Sequence, residues 1–215
     1  YGPPPMPTFT PGRLRVASRL RTAGLLAVLT LAAVLVHGYH PFAEDAEVYL
    51  PSVLKLLDPA LFPHDQAFAL SHARWTLFPY LVAGSVGATR LPIETALLLW
   101  HLATVFGLLW ACLRIARLCF QDEVAQWCGV VLVAGLLTIP VAGTALYIMD
   151  QYLTSRSLAT PAAMLMLACL LEGKPGRAAT WLAFTAAVHP LTGVLAGTMW
   201  LAWWLVRRTA QPAAV

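Results

Sequence analysis

The apolar residues of this chain are gathered into runs bounded by arginine, and that pattern limits the fold more than any other feature. Residues 23–36 follow Arg13, Arg15, Arg19 and Arg21, and residues 93–113 lead into Arg114 and Arg117. Further runs occupy residues 124–141 and 157–172. Runs approaching 20 apolar residues with cations at their ends are the pattern of helices that cross a bilayer. Only 11% of the residues are charged and 59% are hydrophobic, against about 25% charged in an ordinary soluble domain. So few polar groups cannot cover a soluble surface. The chain is read as all-α, a polytopic membrane protein.

Four arginines before the first run put the N-terminus in the cytoplasm. Residues 1–21 form a cytoplasmic arm, residues 22–208 a single transmembrane domain and residues 209–215 a tail. The expected setting is the inner (plasma) membrane of a bacterium, with the lipid bilayer as first partner. The first helix, extended over residues 22–39, leads outward and delivers His40 to the outer face. Residues 40–92 make an outer loop. Within it Ala46–Leu57 carries Val48, Leu50, Val53, Leu54 and Leu57 at helical spacing, the pattern of an amphipathic helix lying in the interface. Residues 75–88 hold Pro79, Gly84 and Gly87 and are short. They must start and finish outside if residues 93–113 are to run inward, so they read as a second interfacial or re-entrant helix. Residues 124–141 then run outward and residues 157–172 return, with a second outer loop over 142–155. Residues 177–188 and 191–206 form a short hairpin with His189 at its tip. The sum is about four full spans, and ten of the fourteen Lys/Arg fall on the cytoplasmic side.

Cys112, Cys119, Cys128 and Cys169 all lie in apolar runs without metal-ligand spacing and read as small buried residues. The scattered basic residues do not form a nucleic-acid patch. No small-residue cleavage site follows the first run, so it stays as an anchor. The chain opens on Tyr1, which implies a missing or processed start.

The polar residues gather on the outer side. Half of the ten acidic residues lie between Glu44 and Asp65. Glu44 and Asp45 open the first outer loop, Asp150 and Arg156 belong to the second, and His189 faces them. A carboxylate at a membrane mouth can take a proton from an acceptor hydroxyl. Arginine and histidine can hold a phosphate through charge-assisted hydrogen bonds. Plainer roles stand beside these. Asp45 makes an N-cap for Ala46–Leu57, Arg156 a ligand for lipid phosphate, and His189 an ordinary buried histidine. His40, His64 and His72 fit no ligand spacing and read as solvated or capping. A divalent metal is compatible with the site but not indicated.

The order of these features resembles the N-terminal half of the GT-C membrane glycosyltransferases, which include protein O-mannosyltransferases and lipid A aminoarabinose transferases. The resemblance covers about residues 20–205. It lies in the acidic segment Glu44-Asp45-Ala46-Glu47-Val48-Tyr49, the helix with Leu77-Phe78-Pro79-Tyr80-Leu81, and the stretch Gly87-Ala88-Thr89-Arg90-Leu91-Pro92. It continues through Arg114 and Arg117, then Arg156 at the start of a span, and the turn Val188-His189-Pro190. It implies a catalytic base at Asp45 or Glu44. It also implies contacts from Arg156 and His189 to the phosphate of a lipid-linked sugar, a polyprenyl-phosphate donor. The chain departs from the pattern at Thr160, where an acidic residue is common, and at His189, where a lysine is common. Family members also continue with further spans. Two functions follow: a GT-C-like transferase acting on an outer-face acceptor, or a non-catalytic accessory subunit packed among other membrane subunits through its tryptophans.

Overall fold

The computed structural model of the chain describes residues 11–140 and 147–210. The expectations for the first ten residues, for 141–146 in the second loop and for the last five residues lie outside the described residues. Among the described residues every regular element is a helix. Helix α1 (Pro11–His37) and helix α6 (Ile93–Cys119) have 27 residues each, about 40 Å at the usual rise. Both are long and apolar enough to cross a membrane by length and composition. Helices α7 (Glu123–Gly135) and α8 (Ser155–Leu171) are apolar but shorter, at 13 and 17 residues. Two of the four expected spans therefore have full length. Helix α1 already runs through residues 11–21, so the expected arm is helical from Pro11 onward.

The helix ends have local causes. Gly38 takes φ +84°, the left-handed conformation that glycine adopts without a Cβ penalty, and its N–H bonds back to Val34 O at 2.9 Å. That stops α1. The Asp122 carboxylate accepts the Ala125 N–H at 2.8 Å and starts α7. Thr154 and Ser157 cap α8 reciprocally, each side chain on the other's backbone. Helix α7 ends six residues earlier than its apolar run suggests. The His37 ring bonds Ala134 O, and Leu137 O accepts the Met149 N–H, so tertiary partners take up carbonyls at and beyond the end of α7.

Helix α6 lies at the centre. It packs on α1 and α7 on one side and on α8 on another, and α8 packs in turn on α9 (Pro175–Val188) and α10 (Pro190–Ala210). Leu26, Leu108, Leu109 and Val130 join α1, α6 and α7. Met166, Leu170, Ala178 and Ala196 join α8, α9 and α10. The expected hairpin is α9 and α10, although α10 reaches 21 residues and is longer than read.

Four shorter helices close one end of the bundle: α2 (Ala46–Leu57), α3 (Gln66–Ala69), α4 (Ser71–Trp75) and α5 (Phe78–Thr89). Helix α2 has the bounds expected from its periodicity. It buries Leu50 and Val53 against Phe78 and Val82 of α5. The Leu77 N–H, just before α5, donates to Ala187 O of α9 at 2.8 Å and ties this layer to the hairpin. At 12 residues, α5 is about 18 Å long, too short to span. Cys112 is half-buried and Cys169 buried, but Cys119 and Cys128 are exposed, so the expectation of four buried thiols fails for two. Large apolar side chains also face outward, among them Leu35 and Val36 on α1 and Leu191 and Val194 on α10.

The α9–α10 contact is close because of one residue. A Cβ at Gly193 would stand 2.5 Å from Ala186 Cα, a backbone atom that cannot move aside, whereas a Cβ at Gly197 meets nothing within 4 Å. Gly193→Ala should therefore cost about 1–3 kcal/mol through overpacking. Gly197→Ala should be neutral or stabilising by up to about 1 kcal/mol through helix propensity. Unfolding of both variants in detergent checks the contrast.

Candidate functional site

The segment from Met149 to Thr154 assembles the polar end of the bundle. Three consecutive residues each reach a different partner. The Asp150 carboxylate pairs with the guanidinium of Arg156, the second residue of α8. Gln151 donates from its side chain to His37 O at the end of α1, and its carbonyl accepts the His40 N–H at 2.8 Å. Tyr152 donates its phenol O–H to Glu44 Oε2 at 3.1 Å. The His37 ring adds a fourth tie. Its Nε2 donates to Ala134 O at 2.8 Å, which leaves Nδ1 to accept from the Thr138 hydroxyl at 2.7 Å. The end of α1, the end of α7, the acidic loop and the start of α8 are thus one hydrogen-bonded unit.

All five residues expected from the sequence converge here. Glu44 and Asp45 are exposed, Asp150 is buried, and Arg156 and His189 are half-buried. Asp45 lies near enough to Asp150 and Arg156 to act on the charge of both. It holds the N-cap position of α2, but with helical backbone angles (φ −62°, ψ −17°) and no capping bond from its side chain. The expected cap is absent because a capping carboxylate needs an extended backbone to turn back on the helix. The Asp45 carboxylate is left facing solvent. Glu44 takes φ +50°, a left-handed conformation that costs a non-glycine residue on the order of 1–2 kcal/mol. Its bond to Tyr152 helps to hold it there.

Charge sets the protonation of the group. Burial pushes the Asp150 carboxyl up, and the nearby Asp45 and Glu44 add to this, against the downward pull of Arg156. The Tyr152 phenol is raised by burial and by the same carboxylates, so it stays a donor. Burial lowers His189, and Arg156 and His72 lower it further. A neutral His189 fits its bonds. Its Nδ1 accepts the Thr192 N–H at 3.2 Å, capping α10, which puts the ring proton on Nε2. His189 therefore offers a neutral N–H donor at Nε2.

Other members escaped the sequence reading. His72, expected to be solvated or capping, is half-buried with its ring 4.3 Å from that of Tyr49. Gln151 and Tyr152 stood beside Asp150 in the sequence, but their partners come from more than a hundred residues away. The Ser155 hydroxyl is buried beside Arg156 and has no partner among the described residues. A cavity of about 10 Å³ lies behind the cluster, lined by His37, His101, Thr138, Asp150 and Gln151. Its volume has room for about one water. His101 Nδ1 and the nearby Tyr39 Oη have no partner among the described residues, and their rings lie 5.0 Å apart. Among the described residues no group of three His, Cys, Asp or Glu side chains could hold a metal ion.

No protein-family model, curated protein or solved structure matches this chain. Its functional reading rests on the geometry of this polar end.

Removing one partner of the buried pair leaves an uncompensated charge. Arg156→Gln should cost about 3 kcal/mol, and adding Asp150→Asn should recover part of that loss. The raised Asp150 carboxyl also sets a pH dependence. The folded chain holds this proton to a higher pH than the unfolded chain does. Stability should therefore fall as pH rises from the ordinary carboxylate value through the raised folded value. Unfolding followed from about pH 3 to about pH 7 should show that fall, and Asp45→Asn with Glu44→Gln should make it smaller.

Proposed function

We propose that the chain is an integral membrane protein that transfers a sugar from a polyprenyl-phosphate donor to an acceptor hydroxyl at its acidic end. The acidic end faces outward and the N-terminus is cytoplasmic. The membrane placement is supported by two span-length helices and by the outward apolar faces of α1 and α10. The observation that carries the chemistry is the Asp45 carboxylate. It is exposed, makes no capping bond and stands near enough to Arg156 for their charges to act on one another.

Transfer requires attack of the acceptor oxygen on the anomeric carbon, loss of the acceptor proton and departure of the phosphate. Asp45, or Glu44 beside it, takes the proton. Arg156 stabilises the charge that builds on the leaving phosphate, and His189 Nε2–H donates to it. Asp150 positions the Arg156 guanidinium through their ion pair. The left-handed backbone at Glu44 is consistent with a loop held in a strained, preorganised form.

A second reading has an observation of its own. Asp150 and Glu44 are already bonded within the fold, and the cavity that Asp150 lines admits about one water and no sugar. This favours an accessory subunit, in which the cluster locks the loop to α8 and the exposed apolar faces meet partner subunits.

Release of polyprenyl phosphate from a panel of polyprenyl-phosphate sugars, with the detergent-purified chain, separates the readings. The transferase reading expects turnover that falls at least about 100-fold in Asp45→Asn, the scale of general-base catalysis. Turnover that survives Asp45→Asn and Glu44→Gln together removes the base assignment. Absence of turnover, with a fixed set of membrane subunits retained through purification, supports the accessory subunit.

A further inference from the structure

The opposite end of the bundle carries a cleft that the transfer chemistry does not use. It lies between the beginning of α1 and the end of α6, with a volume of about 550 Å³, within the range of pockets that hold small ligands. Arg19 comes from α1 and Arg117 from α6. Both are exposed, and neither belongs to an ion pair among the described residues, where the pairs involve Arg114, Arg156 and Lys174. Arg117 donates to the Thr22 hydroxyl at 3.4 Å, which keeps it over the mouth. Below the arginines the lining turns apolar, with Leu26, Phe106 and the ring of Trp110. Among the described residues no carboxylate lines the cleft. Two cations at one level and an apolar floor at the next match an amphiphile with a negative head.

We propose that this cleft binds one anionic phospholipid, its phosphate between Arg19 and Arg117 and its first methylenes against Leu26, Phe106 and Trp110. Arg19 and His37 are 18 residues apart on α1, about 27 Å at the usual rise, so this site is separate from the acidic end. The proposal rests on the membrane placement and not on the transferase chemistry. A groove on another side of α1 supplies an internal comparison. It is lined by Arg21 but also by Glu123, so its charges cancel and it gives no preference for an anionic head.

Native mass spectrometry of the full chain in mild detergent tests this, with phosphatidylglycerol, phosphatidylcholine of the same acyl chains, and glycerol 3-phosphate as probes. One phosphatidylglycerol should be retained under conditions that strip phosphatidylcholine, and glycerol 3-phosphate should bind far more weakly than the lipid. Arg19→Gln with Arg117→Gln should lower retention about tenfold or more, the scale for two basic groups facing an anionic lipid. The paired lysine variant should keep most of it, and Arg21→Gln should change nothing. Equal retention of the two lipids, or full retention by the double glutamine variant, overturns the proposal. Glycerol 3-phosphate binding as well as the lipid also overturns it, in favour of a free phosphate ester. A chain that purifies monodisperse without detergent overturns the membrane placement itself, and is read before any lipid is added.

Discussion

Asp150 is a carboxylate whose side chain is 2% exposed, and such a charge survives burial only with a partner. Arg156 is that partner, six residues on. The separation is bridged by the capped start of α8, so the pair fixes where α8 begins and how the preceding segment enters it. Once Asp150 is held, Gln151 and Tyr152 point to fixed places. Gln151 reaches the end of α1, and Tyr152 reaches the acidic loop. The position of Glu44 and Asp45 is in this sense a consequence of one buried ion pair.

The rest of the bundle keeps polar groups at two poles and apolar contacts between them. At the pole opposite Asp150, Arg114 pairs with Glu172 at 2.7 Å and Lys174 joins the same carboxylate. Arg207 and Arg208 stand over Trp203 and Trp204. Cation–π contacts of this kind hold a guanidinium near an apolar surface without a carboxylate. The two poles differ in kind. One gathers carboxylates around a single arginine beside a neutral His189, and the other gathers arginines with few acids. That asymmetry supports opposite roles for the two ends, with chemistry proposed at one and lipid contact at the other.

What the sequence made legible was governed by local rules. Helix α2 was readable because five apolar residues repeat at helical spacing and Asp58-Pro59 follows them. The turn at His189 was readable because proline succeeds it. The convergence of Glu44, Asp45, Asp150, Arg156 and His189 followed from alternating the helix directions. The misreadings came from tertiary contacts that no local pattern records. Helix α7 stops at Gly135 because His37 and Met149 bond carbonyls at and beyond that end. Asp45 looked like a cap by position, but its helical backbone angles prevent one. Cys119 and Cys128 lie in apolar runs yet face outward, because an apolar run in such a bundle need not be packed on every side. Tyr152 was overlooked because its partner, Glu44, lies 108 residues earlier in the chain.

Residues 150–152 hold the acidic loop as one preorganised unit. A double-mutant cycle on Glu44→Gln and Tyr152→Phe measures this directly, read as unfolding free energy in detergent. A hydrogen bond to a charged acceptor predicts a coupling of about 1 kcal/mol or more between the two changes. Effects that add to within about 0.3 kcal/mol would show that the loop and the segment before α8 are independent, and would contradict the account.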